Sequence, residues 1–296
     1  MAVELAANDK ARRAESTDLT DAIAQPRIRV IEPRSGWIAI DWRELWDQRE
    51  LLLFLTMRDI KVRYKQTVLG VAWAVIQPVF SMLIFSVIFG RIAKIPSDDV
   101  AYPIFVYAGL LPWTFFSTAA TQASTSLLNQ EALLTKVYLP RMFVPAAPVG
   151  GALVDLSISF GVFAVLMVVY DQAPGWGLLM LPFLVLLTIA TALGVGLALS
   201  ALTVSYRDFR YVIPFAMQAW IYLTPVIYPM SSVPEKYRVW IALNPMAGII
   251  NAFRSALLGR PFEWTTLGIS AAVTAGLLVL GLYYFRKTER RFADIA

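Results

Sequence analysis

The chain contains no cysteine and no histidine among its 296 residues. The first absence removes disulfides and thiolate ligands; the second removes imidazole metal sites, a Ser-His-Asp triad and a proton switch near neutral pH. Most hydrolytic chemistry goes with them. Charge is scarce too, at 16% of residues against 58% hydrophobic, a composition far from that of a soluble domain. The sequence is that of an integral membrane protein. No G-x-x-x-x-G-K-[ST] loop occurs, and no polar segment is long enough to fold into a nucleotide-binding domain. A transporter with this sequence therefore takes ATP energy from another chain or couples to an ion. Ion coupling needs ionisable groups inside apolar spans, and the clear one is Asp155 in "GGALVDLSISF"; Gln77, Gln122 and Gln218 are only polar. A lone carboxylate makes a poor proton relay, so Asp155 is expected to be a structural hydrogen-bonding group. No repeat is visible at solenoid periods, nor any likeness between the two halves.

What is present is a succession of long apolar runs. Residues 1 to 36 are polar with interleaved charges and no signal-peptide core, and are expected to form a disordered cytoplasmic tail. At "DWRELWDQRELLLFLTMRDIKVRYKQT" the pattern changes. Asp41 is a candidate N-cap with Glu44 three residues on, and Trp42, Leu45 and Trp46 share a helical face, which suits a helix lying in the membrane interface. Residues 37–65 are thus read as an interface helix with a basic linker, and 66–296 as the transmembrane domain. From Gln66 to Gly90 there is no charge, enough for one span; further spans are expected near 101–125, 146–170, 176–203, 211–230 and 263–285. The fold class is all-α with six transmembrane helices.

Net charge is +5, but the basic residues sit beside apolar runs, where they mark the cytoplasmic side rather than a nucleic-acid surface. Arg58, Lys61, Arg63 and Lys65 precede the first span, and Arg286, Lys287, Arg290 and Arg291 follow the last, placing both termini in the cytoplasm. The loop after the fifth span breaks the pattern with Lys236, Arg238, Arg254 and Arg260. Its apolar middle, "IALNPMAGIINAFRSALLG", reads as short helices dipping back into the membrane.

One cytoplasmic loop is longer than a plain connection, which needs about 2–8 residues. It runs "LLNQEALLTKVYLPRMFVP" over 127–145, with Pro140 and Pro145 as stops and leucines able to anchor a short helix while Glu131 and Lys136 stay exposed. Such a helix suits docking.

Four blocks, "RELLLFLTMRDIKVRYKQTVLGVAWAVIQP", "LLTKVYLPRMFVP", "VSYRDFRYVIPFAMQAWIYLTPVIYP" and "LNPMAGIINAFRSALLG", together resemble the permease subunit of ABC-2 type exporters of lipid-linked polysaccharide, which move O-antigen, capsule and teichoic acid chains across the bacterial inner membrane. The resemblance runs from about Trp37 to the C-terminus. It implies a homodimer of this permease around a conduit, with two copies of a separate ABC ATPase that binds the ATP; this chain then carries no cofactor, metal or catalytic residue. It implies that Asn129, Glu131, Lys136, Tyr138, Pro140 and Arg141 belong to a helix coupling to the ATPase. Asp41 to Met57 would be the interface helix, and Pro234 to Gly259 the re-entrant pair gating the exit. Among aromatics of the central spans, Phe80, Tyr107, Trp113, Phe116, Trp220 and Tyr222 are expected to line the conduit, where ring faces and hydroxyls hold sugar weakly. A secondary carrier and an ABC-2 exporter of another lipid or drug are the alternatives. A membrane glycosyl- or acyltransferase fits poorly, because "YRDFR" reads as a self-neutralised surface cluster.

Overall fold

The computed structural model describes residues 42–65, 70–130, 139–173 and 175–289, within one compact unit; the polar tail over 1–36 and the cap at Asp41 lie outside the described residues. Among the described residues every regular element is helical. A short α1 (Trp42–Asp47) leads into α2 (Arg49–Lys65). The basic run Arg58 to Lys65, expected as a linker, is the last part of α2. Leu45 and Leu55 turn inward onto Phe143 and Ala147, while Trp46, Leu53, Phe54 and Met57 are exposed as an outward apolar face.

Among the described residues, five helices are long and apolar enough to cross a membrane. They are α3 (Ala72–Phe85) with its π-helical continuation Ser86–Ile92, α4 (Tyr102–Asn129), α5 (Phe143–Val169), α6 (Leu181–Ser205) with the 3-10 turn Trp176–Met180 before it, and α10 (Trp264–Glu289). Pro145, read as a stop, lies in the first turn of α5, where a missing N–H costs nothing. The fifth expected span, 211–230, is different. Its helix α7 (Phe209–Leu223) has 15 residues and is therefore about 22 Å long, short of the roughly 30 Å of hydrocarbon. Thr224 leaves the helical region (φ −107°, ψ 139°) because Pro225 follows it and disfavours helix in the preceding residue. The remainder of that apolar run is a turn. Then α8 (Glu235–Ala242) and α9 (Pro245–Leu258) follow, bent by 103° at the break between them. Such a pair is a broken span or a re-entrant loop, as the polar-apolar mixture of that loop led one to expect.

The centre of the bundle is α4, buried along most of its length, whereas α3 presents most of its apolar surface outward. Ala108, Gly109, Ala119, Ala120 and Ala123 let α5, α6, α9 and α7 close on it. Lipid tails are as apolar as Leu, so close van der Waals packing through small residues, rather than water exclusion, holds such helices together. The crossing of α6 on α10 is close: a Cβ added to Gly281 would stand 2.1 Å from the carbonyl oxygen of Gly194. Hydroxyls are satisfied locally. Thr188 and Thr203 donate to the carbonyls four residues back, and only Thr191 and Thr274, 2.9 Å apart, bond between these two helices.

Candidate functional site

The polar cluster inside the bundle joins three helices near the end that carries α2. Arg63 donates from one guanidinium nitrogen to Asp155 of α5 and from another to Gln122 of α4, and the Tyr64 hydroxyl donates to the second Asp155 oxygen. Burial first, and then the Asp155 carboxylate, push the Tyr64 hydroxyl up to about 12. It remains a donor at any physiological pH. Arg63 and Asp155 are each about a quarter exposed, with side-chain accessibilities of 26% and 27%. They border a cleft of about 650 Å³ whose other walls include Trp73, Gln77, Thr114 and Thr118. The structural role expected of Asp155 thus acquires specific partners, and sequence reading had placed both in a linker. The sequence signal was the unpaired acid within the spans; nothing singled out Arg63 as its partner among the basic residues Arg58, Lys61, Arg63 and Lys65.

The opposite end is organised by a second arginine. Arg254 of α9 is 3% exposed and donates to four backbone carbonyls: Pro225 at 2.7 Å, Val226 at 2.5 Å, and Tyr228 and Phe105 at 3.3 Å each. Its guanidinium carbon lies 3.7 Å from the centroid of the Phe105 ring. The planar five-donor fork of arginine is what lets one side chain serve a turn whose carbonyls point inward. Asn244 completes the arrangement, accepting from the Met246 amide and donating to Thr224 at 2.8 Å, which ties the break between α8 and α9 to the end of α7. Gly259, at φ 68°, closes α9 in the left-handed region that glycine tolerates. Arg254 counted in the sequence as an anomalous outer-face charge; it is buried within the bundle.

The six expected conduit aromatics separate into two groups. Phe80 and Tyr222 are exposed, at 62% and 58%. Tyr107, Trp113 and Phe116 are instead buried in the protomer, so in this conformation they offer no surface to a passing chain. Tyr107 packs on Phe163, and Trp113, Phe116 and half-buried Trp220 form a cluster with centroids 5.3 to 6.3 Å apart, edge to face or tilted. The cause is the central position of α4, which has neighbours on nearly every side. Trp113→Leu should accordingly lower stability by about 2 kcal/mol, and Tyr222→Leu should leave the melting temperature of the purified protein unchanged.

Of the expected coupling residues, Glu131, Lys136 and Tyr138 lie outside the described residues. Asn129 is the last residue of α4, and its amide donates to Thr125. Pro140 and Arg141 stand just before α5, and Arg141 donates to the Glu289 carbonyl at 2.8 Å. Leu139 and Met142 are buried in a cluster with Leu127, Val144, Leu197 and Phe285. Both feet of the segment are therefore rooted among α4, α5, α6 and α10. Among the described residues no group of His, Cys, Asp and Glu could hold a metal ion.

An all-helical bundle with long apolar spans, a broken helix pair at one end and a paired acid inside defines a polytopic membrane protein. The chain belongs to the ABC-2 type transporter family, whose model matches residues 50–258. It is 30% identical over 257 residues to the O-antigen export system permease protein RfbA of Myxococcus xanthus, covering 85% of this chain and 97% of that protein. A protein of the same description from Klebsiella pneumoniae is 28% identical over 83% of this chain and 95% of its own length. The polysialic acid transport protein KpsM of Escherichia coli is 25% identical over 79% of this chain and 92% of its own.

Proposed function

We propose that this chain is the permease subunit of an ATP-driven exporter that carries a lipid-linked polysaccharide across the bacterial inner membrane. Two copies form the conduit and two copies of a separate ATPase dock on the cytoplasmic face, on which both chain termini lie. The observation that carries the reading is the match over 97% of the length of an O-antigen export permease, with a polysialic acid transport protein matched nearly as completely. The absence of a nucleotide loop from the sequence agrees with a partner that supplies ATP. A self-sufficient ion-coupled carrier is disfavoured by Asp155, whose carboxylate is already engaged by Arg63 and Tyr64.

The rooted segment between Asn129 and Arg141 supports a mechanical role. A push on it reaches α4 and α5 directly through the chain and α10 through the Arg141 bond to Glu289. ATP-driven movement of the ATPase can in this way tilt the helices around the conduit. Reversing charge at both Glu131 and Arg141 should reduce surface polysaccharide and ATPase co-purification by roughly tenfold, the scale of losing one charged contact across an interface, with the melting temperature of the permease as control. Normal export by the double variant removes the coupling role. Capture of no ATPase by the tagged wild-type permease, co-expressed with its candidate partner, removes the exporter reading itself.

A further inference from the structure

At the end of the bundle opposite Asn129, the loop before α4, the end of α9 and the start of α10 enclose a second cleft of about 190 Å³. Its lining differs in character from the large apolar one. Asp98 and Glu263 supply carboxylates, Arg254 and Arg260 guanidiniums, Asn251 an amide, and Phe262 with Pro229 and Pro261 apolar walls. Asp98 accepts from Ser231 at 2.7 Å and pairs with Arg260 Nη1 at 3.1 Å. Glu263 Oε2 accepts from Asn251 at 3.0 Å and from Thr266 at 3.1 Å. These bonds fix the side chains and leave other atoms unused. Among the described residues no protein group engages Glu263 Oε1, Asn251 Oδ1 or the Nε and Nη2 of Arg260.

We propose that this cleft binds one neutral pyranose unit of the exported glycan on its way out; the proposal rests on the exporter reading above. The size fits a single ring, since about 190 Å³ holds about a dozen water-sized groups at roughly 15 Å³ each, which matches the heavy-atom count of a hexopyranose. The chemistry fits as well. A pyranose presents adjacent hydroxyls that both donate and accept, which a free carboxylate oxygen, an amide oxygen and the open side of a guanidinium satisfy together. Its C–H faces suit Phe262, whose ring lies 5.3 Å from that of Trp264 and is held by it. Electrostatics exclude the simpler ligands. Two carboxylates offset two guanidiniums, so neither an inorganic anion nor a cation gains a net attraction. Arg254 contributes charge to the wall but no hydrogen bond, because its donors already serve the backbone carbonyls of Phe105, Pro225, Val226 and Tyr228. The same residue thus braces the turn and backs the cleft, placing a sugar unit against α9 of the bent helix pair.

The test is saturation-transfer NMR on the permease with its ATPase in nanodiscs, using the methyl glycosides of glucose, mannose, galactose, rhamnose and N-acetylglucosamine as probes. Transfer to ring protons of at least one probe is expected in the wild type. Transfer should fall about fivefold or more in Asn251→Leu, which fills the cleft, and in Arg260→Gln, each of which removes a hydrogen-bonding group worth about 1 kcal/mol or more. Arg260→Gln also breaks the pair with Asp98; if that variant does not fold, Asn251→Leu and the isosteric Glu263→Gln decide. No transfer to any probe in the wild type, undiminished transfer in the folded variants, or displacement of the probe by phosphate overturns the proposal. Binding is read without export, so a failure here is distinct from failure to capture an ATPase.

Discussion

Arg254→Met is expected to be the most destabilising single substitution in the chain, lowering stability by about 4–6 kcal/mol. Met keeps the apolar stem of arginine but ends at the position of Nε and donates nothing. The carbonyls of Phe105, Pro225, Val226 and Tyr228 then lose their donor in a place with little water, and Phe105 loses the cation above its ring. Each stranded acceptor costs roughly 1–3 kcal/mol, and relaxation of the turn recovers part of the total. For a protein of this size that corresponds to a fall in melting temperature of roughly 10–20 °C, measurable by fluorescence-detected size exclusion after heating in detergent. Arg254→Lys should recover less than half of the loss, because an ammonium cannot reach four carbonyls disposed around a planar fork. An unchanged melting temperature in Arg254→Met would show that the turn is held by other contacts, and near-complete rescue by lysine would show that charge alone suffices.

The second large effect is expected at Asp155. Asp155→Leu leaves Arg63 and Tyr64 facing an apolar side chain and should detach the end of α2 from α5, with export falling by about tenfold, as expected if about 1–3 kcal/mol of coupling between the two helices is lost. The lower part of that range reflects the quarter exposure of both partners, which lets water screen the pair. Asp155→Asn keeps one oxygen acceptor for Arg63, while its amide nitrogen can donate to the Tyr64 hydroxyl in place of accepting from it, and should retain most export, and exchanging the charges, Arg63→Asp with Asp155→Arg, should restore part of what Arg63→Asp loses. Surface polysaccharide and ATP hydrolysis are to be measured together in membranes where insertion has been verified. Equal and complete loss in the Asn and Leu variants, both stably inserted, would assign the charge itself a part in transport.

Much of the fold is legible in one dimension because the bilayer imposes a one-dimensional constraint. A span must be apolar for about 20 residues and must satisfy its backbone within itself, so runs without charge locate α3, α4, α5, α6 and α10 to within a few residues. The mixed loop after 230 announces a helix pair that does not simply cross, and Asn244 before Pro245 marks where it breaks. The absence of cysteine, histidine and a nucleotide loop narrows the chemistry before any contact is known. Hydropathy fails at α7, where the apolar run continues past the helix and a Thr-Pro step decides the end.

What only the tertiary structure decides is which groups meet. Arg63 and Asp155 are 92 residues apart, and Arg254 and Phe105 are 149 apart. Composition near either member contains nothing that names the other, because partner choice depends on how neighbouring helices rotate and cross. The aromatics show the same limit from the other side: Phe80 and Phe116 look alike in sequence, yet one is exposed and the other is fully enclosed. An apolar side chain in a span suits lipid, a partner helix or a conduit wall equally well by transfer energy, and only the small-residue packing around α4 settles which of these environments it receives.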